Sequence, residues 1–328
     1  MIRGKKILIT GGAGFIGSNL VDSLLRDGNH VTVLDNFSTG KMENLEHNLG
    51  RSDYRLIRGD IRNYDMCREA AKGQDVVFHE AALGSVPRSI KDPMTSTAVN
   101  VSGFVNMLFA AHENGVKRFV YAASSSTYGD SKTLPKVEDK IGKPLSPYAI
   151  TKYVDELFAG NFHDLYGIDV VGLRYFNVFG RRQDPDGAYA AVIPKFALAL
   201  IRHTPPTING DGSYSRDFTY IDNVIQANKL AASVEDPAAL NTVYNVAFGE
   251  RTTLNELYDY LKSALGAFDS EILGLSAKHG PNRVGDIPHS LADISKARTL
   301  LGYDPEFSVK KGIAEAAQWY FNYLCKRV

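Results

Sequence analysis

Short apolar runs rich in β-branched residues alternate along the chain with longer segments whose apolar positions recur every three to four residues. The first pattern predicts buried strands, and the second predicts amphipathic helices. The predicted strands span residues 6–10, 30–34, 54–58, 75–78, 118–122, 169–173 and 243–247. The predicted helices span residues 15–26, 96–113, 148–166, 192–202, 221–233, 254–265, 295–301 and 309–324. Such alternation is typical of α/β proteins with a doubly wound parallel sheet, which is the fold class we predict.

The composition indicates a chain without an overall electrostatic field. Its 328 residues are 44% hydrophobic, and 37 basic residues balance 37 acidic ones. A sizeable core is therefore expected, but no attraction to nucleic acid or to an anionic membrane. Cys67 and Cys325 are too few and too isolated for a disulfide framework or a metal site. The first residues carry no apolar signal core, so we expect a soluble, cytoplasmic protein whose partners are small molecules or protein.

A glycine-rich turn joins the first predicted strand to the first predicted helix. It reads Gly11-Gly12-Ala13-Gly14-Phe15-Ile16-Gly17. Glycines at a strand-to-helix turn let the backbone approach a pyrophosphate, which then lies on the N–H groups that open the helix. The second predicted strand is followed by Asp35, close to the spacing expected for a carboxylate that binds the adenosine ribose. An anion there would repel a 2′-phosphate, so the pattern predicts NAD rather than NADP as cofactor.

The chain divides by composition into two parts. We assign residues 1–176 to an NAD-binding Rossmann domain, with a return segment at about 220–247. Residues 177–219 and 248–328 contain loops rich in Pro, Gly and polar residues, notably 181–187 and 209–213. Loops over a parallel sheet usually carry substrate specificity, so we expect this second, mixed α/β part to bind the substrate.

A candidate catalytic pair lies at the start of the helix predicted at 148–166. Tyr148 and Lys152 follow Pro147 and are four residues apart, which places both on one helix face. A neighbouring cation favours the ionised form of a phenol, so the pair can supply a base near neutrality. A serine run that should end beside the nicotinamide comprises Ser124, Ser125 and Ser126. Hydroxyl, phenol and ammonium together suit oxidation of a secondary alcohol; which serine contacts the substrate is open.

With these motifs in order, the chain resembles the extended short-chain dehydrogenase/reductases, and within them the UDP-hexose 4-epimerases, nearly end to end. The landmarks are 10–17, Asp35-Asn36, Asp60-Ile61, 124–129, 146–148 with Lys152, 174–177, 216–218 and Arg283-x-x-Asp286. The resemblance implies that Tyr148 removes the O4 proton while the C4 hydride passes to tightly held NAD. The 4-keto sugar then turns and receives the hydride on its other face. The implied NAD contacts are Gly11, Gly14, Phe15, Ile16, Gly17, Asp35, Asn36, Ser38, Gly40, Asp60, Ile61, Ala81, Ala82, Asn100, Tyr148, Lys152, Tyr175 and Val178.

The resemblance also implies a UDP-sugar site. Arg216 and Arg283 resemble clamps on the diphosphate, for which the guanidinium fork is suited. Epimerases restricted to UDP-glucose and UDP-galactose carry a Tyr where this chain has Ser290, and a Lys where it has Gly84. The smaller residues open space for an N-acetyl group, so UDP-GlcNAc and UDP-GalNAc are the favoured substrates. The implied substrate contacts are Gly84, Ser85, Ser126, Tyr148, Asn177, Gln183, Ala191, Val192, Thr207, Asn209, Arg216, Arg283, Asp286 and Ser290.

Several alternatives stay open from the sequence. The substrate could be UDP-glucose and UDP-galactose, or a UDP-glucuronate or its N-acetylated form, whose carboxylate Arg181 or Arg182 could meet. A 4,6-dehydratase is disfavoured because Ser125 and Ser126 hold the places where such enzymes carry an acid. A non-catalytic NAD-sensing protein would have lost Tyr148 or the glycines. Family members commonly pair through two helices, so we expect a homodimer through 96–113 and 148–166.

Overall fold

Thirteen strands and eleven α-helices are found in the residues that the computed structural model describes, which are 2–185, 191–281 and 287–326. The strands are β1 (Lys6–Thr10), β2 (His30–Asp35), β3 (Tyr54–Arg58), β4 (Val76–His79), β5 (Arg118–Ser124), β6 (Asp169–Tyr175), β7 (Val178–Phe179), β8 (Thr207–Asn209), β9 (Ser215–Arg216), β10 (Thr219–Tyr220), β11 (Thr242–Val246), β12 (Thr252–Thr253) and β13 (Lys278–Gly280). The helices are α1 (Phe15–Arg26), α2 (Tyr64–Ala71), α3 (Val86–Lys91), α4 (Pro93–Thr97), α5 (Gly103–Glu113), α6 (Pro147–Tyr166), α7 (Val192–Ile201), α8 (Ile221–Ser233), α9 (Leu254–Gly266), α10 (Ser295–Leu301) and α11 (Val309–Cys325).

A seven-stranded parallel sheet forms the centre of the molecule, in the order β11-β6-β5-β4-β1-β2-β3. Every neighbouring pair in it is parallel, so all strands end at one edge. The direction of winding reverses between β1 and β4, and ligands of such sheets bind in the crevice outside that point. The predicted doubly wound α/β fold is confirmed.

Both faces of the sheet are buried, which explains why its strands are continuous apolar runs. Ile7 and Ile9 of β1 belong to one core cluster, whereas Leu8 between them belongs to the other. The first cluster contains α1 and α8 and extends without a break to α7, α9 and α11. The second lies under α2, α5 and α6. One core thus joins the sheet to the helices beside its carboxyl edge.

Several predicted elements differ in detail from the structure. The helix predicted at 96–113 is interrupted by a π-helical turn at Ala98–Ser102 between α4 and α5. That turn points Asn100 inward, where its Oδ1 accepts from the Leu83 backbone N–H at 2.8 Å and its amide donates to Thr151 Oγ1 at 3.1 Å. Periodicity alone cannot reveal one extra residue in a turn. In addition, β5 continues to Ser124, and β11 spans 242–246 rather than 243–247.

Helix length bears on the question of membrane insertion. No helix within the described ranges combines the length and the apolar character needed to cross a bilayer. The longest, α6, has 20 residues and carries charged side chains on its surface.

Candidate active site

The glycine turn between β1 and α1 has no room for a side chain at Gly11 or Gly17. Gly11 has a φ of +69°, and a Cβ there would lie 2.7 Å from the Ala81 backbone nitrogen. A Cβ at Gly17 would collide with the Gly11 carbonyl oxygen. The Gly14 N–H donates to that same carbonyl at 3.0 Å, and α1 begins at the next residue. The bare backbone and the helix N-terminus therefore form a cradle that fits a pyrophosphate.

Asp35, the last residue of β2, is held rigidly beside this cradle. Its Oδ2 accepts from the Ala13 N–H at 2.9 Å and its Oδ1 from the Phe37 N–H at 2.7 Å. Burial raises the pKa of the carboxyl group, although the two backbone hydrogen bonds oppose that shift. A fixed carboxylate with further lone pairs suits the two hydroxyls of a ribose, so these residues fit NAD.

A cleft of about 320 Å³ runs along the carboxyl edge of the sheet from this cradle. Most of the predicted cofactor residues line it: Gly11, Gly14, Phe15, Ile16, Gly17, Asp35, Asn36, Ser38, Asp60, Ile61, Ala81 and Ala82. Gly40 lines the adjoining cavity and Val178 the substrate cavity. Asn100 and Tyr175 lie behind the cleft and hold its wall, through Leu83 and Glu80 respectively.

Helix α6 carries Tyr148 and Lys152 in its first two turns. Ser146 caps the helix, since its Oγ accepts from the Ala149 N–H at 3.1 Å, and Pro147 is the first helical residue. The Tyr148 N–H donates to Ser89 Oγ at 3.0 Å. Lys152 Nζ donates to the Ala122 carbonyl of β5 at 2.9 Å. The helix start is thereby fixed to the sheet and to α3, which orients both side chains.

A short 3₁₀ turn, Ser125–Tyr128, follows β5 and packs against α6. Ser124 Oγ accepts from the Ser126 N–H at 3.1 Å and from Ser126 Oγ at 2.9 Å. Ser124 is buried, whereas Ser125 and Ser126 are partly exposed. The segment 124–128 offers hydroxyl groups and no carboxylate.

The predicted substrate residues line two cavities on the other side of the cleft. One, of about 250 Å³, is lined by Asn177, Gln183, Ala191, Val192, Asn209 and Arg216. The other, of about 630 Å³, adjoins the cofactor loop and is lined in part by Gly84, Ser85, Gln183 and Ala191. Arg216 Nη1 donates to the carbonyls of Ser215 at 3.0 Å and Pro288 at 3.1 Å. These two bonds fix its position at the cavity.

Gln183 joins the two cavities. Its Nε2 donates to the Val178 carbonyl at 2.9 Å, which fixes the orientation of the amide because a carbonyl can only accept. Its Oε1 is buried and has no hydrogen-bond partner among the residues that the structure describes. A buried acceptor without a partner is the exception in folded proteins, so this atom is available to a donor from a ligand or a water.

Other predicted substrate residues are placed less directly. Ser290 lies in an extended segment whose N–H donates to the Ser215 carbonyl at 3.1 Å. Thr207 is on β8, exposed and outside the two cavities. Arg283 and Asp286 lie outside the described residues.

Arg181 and Arg182, the sequence candidates for a sugar carboxylate, are both engaged in ion pairs. Arg181 binds Asp222 through both guanidinium nitrogens, at 2.7 and 3.2 Å. Arg182 Nη2 binds Asp22 at 2.6 Å, while its Nη1 is buried with no described partner.

Sequence reasoning assigned no role to Glu80 and did not consider Asp155. Glu80 lines the cofactor cleft and accepts from Tyr175 Oη at 2.7 Å, and burial raises its pKa to about 7. Asp155 contacts Lys152 Nζ at 3.2 Å. The only signal for Asp155 was a charged residue on the predicted inner face of α6, three positions after Lys152.

Known proteins share this arrangement. The family model described as "NAD dependent epimerase/dehydratase family" matches residues 7–247. The chain is 38% identical over 320 residues to the UDP-glucose 4-epimerase of Mycolicibacterium smegmatis. The matched region covers 97% of this chain and 99% of that protein. The solved UDP-N-acetylglucosamine 4-epimerase of Methanobrevibacter ruminantium M1, in complex with UDP-N-acetylmuramic acid, has a TM-score of 0.91 and 39% identity, covering 98% of this chain and 100% of that one.

A third relative has a different substrate. The UDP-glucuronic acid 4-epimerase of Bacillus cereus, in complex with UDP-glucuronic acid and NAD, has a TM-score of 0.84 and 33% identity, covering 98% of this chain and 100% of that one. The chain therefore belongs to the NAD-dependent epimerase/dehydratase family, among its nucleotide-sugar 4-epimerases, and uses NAD. Its relatives are named for three different sugars, so family membership leaves the substrate to be argued from the site.

Proposed function

We propose that the protein interconverts UDP-GlcNAc and UDP-GalNAc by inverting C4 through a transient 4-keto sugar. Tyr148, favoured in its ionised form by Lys152, takes the proton of O4, and a hydroxyl of the 124–126 run holds that oxygen. NAD, when bound, takes up a hydride and returns it. The observation that carries the reaction type is the juxtaposition of α6 with a turn that has only hydroxyl side chains.

The hydroxyl-only turn supports epimerisation over dehydration. Elimination of water from C5 and C6 needs a general acid and base beside the ketone. The side chains of Ser125 and Ser126 titrate far outside the physiological range and cannot serve as that acid. The oxidised sugar therefore keeps its 6-hydroxyl, and reduction from the other face is the remaining course. On reduction, Tyr148 returns to O4 the proton that it took.

Gln183 supports an acetylated substrate. An acetamido group at C2 carries an N–H donor, and Gln183 Oε1 is a buried acceptor without a described partner. A donor brought to that atom would satisfy a polar group that is costly to leave unpaired. Asn177 and Ala191 line the same cavity, so the acetyl methyl meets a small apolar side chain there.

Space for the acetyl group is supported at two further positions. A Cβ added at Gly84 would meet nothing within 4 Å, so the glycine leaves open room at the cavity wall. Ser215 Oγ and His289 Nδ1 are 2.8 Å apart on the outer face of the β9 edge. Because side chains alternate along an extended segment, Ser290 lies on the opposite face, the one that carries Arg216.

The diphosphate and the protein's wider organisation are part of the same proposal. Arg216 and Arg283 are the clamps on the UDP diphosphate, and Asp286 is a further substrate contact. We assign UDP-sugar binding to 177–219 and 248–328, and NAD binding to 1–176 with the return through α8 and β11. We also propose a homodimer through α5 and α6. Its support is an apolar stripe on α6, where Ile150, Leu157 and Leu165 are each more than half exposed.

An acidic sugar is the second candidate, favoured by the cations of the larger cavity. Arg88 lines that cavity and makes no ion pair with a described residue, and Arg182 Nη1 there is buried without a described partner. Either could meet a carboxylate, which the relative that acts on UDP-glucuronic acid must also accommodate. Comparison of substrates decides between the two candidates.

The experiment that tests the proposal compares initial rates on UDP-GlcNAc, UDP-glucose and UDP-glucuronate for the parent and Ser290→Tyr. A phenol ring in place of the hydroxymethyl fills on the order of a hundred Å³, so we expect the variant to lose UDP-GlcNAc turnover and keep UDP-glucose turnover. Ser290→Ala, which removes the hydroxyl without filling the space, is the matched control and should resemble the parent. Equal turnover of UDP-GlcNAc by parent and Ser290→Tyr would refute the acetyl pocket, and preference for UDP-glucuronate would favour the second candidate.

A further inference from the structure

The ammonium of Lys152 is enclosed by protein. Its side chain is 3% exposed, and it donates to the Ala122 carbonyl at 2.9 Å and to Asp155 Oδ2 at 3.2 Å. Asp155 is one helical turn further along α6, on the face that packs against the sheet. A buried ammonium is stable only when a counter-charge and hydrogen bonds replace its water. Lys152 has both.

Asp155 is wholly inaccessible to solvent, and its other oxygen, Oδ1, is buried with no partner in the described part of the chain. Lys152 is thus the polar partner that the structure shows for this carboxylate. Burial of an acid in this position carries a desolvation cost that opposes folding. The proposed function so far gives it no task.

Other ionisable groups also face Lys152. Glu80 approaches from the segment after β4, held by Tyr175 Oη of β6. His79, at the end of β4, is neutral, because burial and the Lys152 charge lower its pKa to about 3. Tyr148 lies on α6 itself.

The balance of these influences favours the charged lysine. Burial lowers the pKa of Lys152, but the negative charges of Asp155, of ionised Tyr148 and of Glu80 outweigh it and leave that pKa above its ordinary value. Asp155 makes the largest of the favourable contributions. Fully buried lysines without such a partner lose their proton near or below neutrality.

We propose that Asp155 is a positioning residue for the catalytic pair: its buried carboxylate keeps the Lys152 ammonium charged and aimed at Tyr148. The inference rests on the proposed role of Tyr148 as base. Without Asp155, Lys152 becomes neutral and no longer favours the ionised phenol. Tyr148 then ionises only in more alkaline solution.

The test is the pH titration of Tyr148 in Asp155→Asn, which keeps the size of the side chain and removes its charge. Tyrosinate absorbance is measured in the NAD-loaded protein and corrected by the same protein carrying Tyr148→Phe. We expect the midpoint of the Tyr148 titration to move upward by about 1 to 3 pH units. The rising limb of the kcat profile with UDP-GlcNAc should move with it.

The matched control is Glu156→Gln. Glu156 is the next residue on α6 and also forms a buried ion pair, at 2.7 Å, but with Arg174 rather than Lys152. If Asp155 acts only by stabilising the helix, the two variants should behave alike. We expect Glu156→Gln to leave the Tyr148 titration in place, whatever it does to stability.

An unchanged or a lowered Tyr148 midpoint in Asp155→Asn would overturn the inference. Either result would mean that Lys152 stays charged without the acid and still favours the tyrosinate. A second variant, Glu80→Gln, removes the other acid while keeping an acceptor for Tyr175, and should shift the midpoint upward by a smaller amount. If Asp155→Asn does not fold, the same titration of Asp155→Ser decides the question. The absorbance titration needs no substrate. Absence of turnover on UDP-sugars would therefore refute the proposed function but leave the measured Tyr148 midpoint valid.

Discussion

Gln183 gives the sharpest test of how the sugar is recognised. Gln183→Met keeps the length of the side chain but removes both the Oε1 acceptor and the Nε2 donor that bonds the Val178 carbonyl. With UDP-GlcNAc bound, the acetamide N–H would face an apolar side chain in a buried place. A buried donor left unpaired costs about 1 to 3 kcal/mol. That range corresponds to a fall of about 5- to 160-fold in kcat/KM for UDP-GlcNAc.

UDP-glucose serves as the internal reference for this variant. Its 2-hydroxyl can rotate toward water in the space that the acetyl group would occupy, so its kcat/KM should fall much less. The assay is therefore the ratio of the two kcat/KM values, which cancels any general loss of packing. Gln183→Glu is the control, because it keeps acceptor oxygens while it replaces the donor to Val178 with a charged acceptor. It should keep more of the preference for UDP-GlcNAc than Gln183→Met does. Equal losses on both sugars in Gln183→Met would refute the hydrogen bond.

Two further expectations concern the cofactor and the assembly. Gly17→Ala should abolish NAD retention, because its Cβ would collide with the Gly11 carbonyl. Retention is measured as the nucleotide released on denaturation. The control is Gly160→Ala, where a Cβ meets nothing within 4 Å, and this variant should retain NAD. Leu157→Glu should convert the dimer to monomers, since it places a charge in the exposed apolar stripe of α6. Light scattering measures the mass in solution, and a parent protein that is already monomeric would refute the dimer.

The sequence was most informative where geometry demands a particular residue type. Gly11 and Gly17 cannot carry side chains, and the spacing of Tyr148 and Lys152 follows from the helix period, so these parts of the site were predictable. Helix and strand periods likewise predicted the succession of strands and helices along the chain. They could not show that the strand before the serine run continues to Ser124, because a serine is equally compatible with a turn.

The residues that sequence reasoning missed act through tertiary packing. Asp217 belongs to a recognised landmark, yet its carboxylate accepts from the N–H groups of Phe248, Gly249 and Ala292 and so ties three segments together. Burial raises its pKa to about 7. Glu80 and Asp155 converge on Lys152 from different elements, and no local pattern encodes that convergence. No local pattern encodes the π turn at 98–102 either, because its Asn100 hydrogen-bonds to Leu83 and Thr151 in other segments.

The position of Ser290 has a consequence for how such proteins can diversify. The base, its lysine and the hydroxyl turn are built on the sheet and on α6, whereas Gly84, Gln183 and Ser290 come from three separate connections outside it. Substitution at any of these three would alter the room around the sugar without disturbing the core or the proton-transfer groups. We therefore expect a shift in sugar preference to need few substitutions and to leave the fold intact.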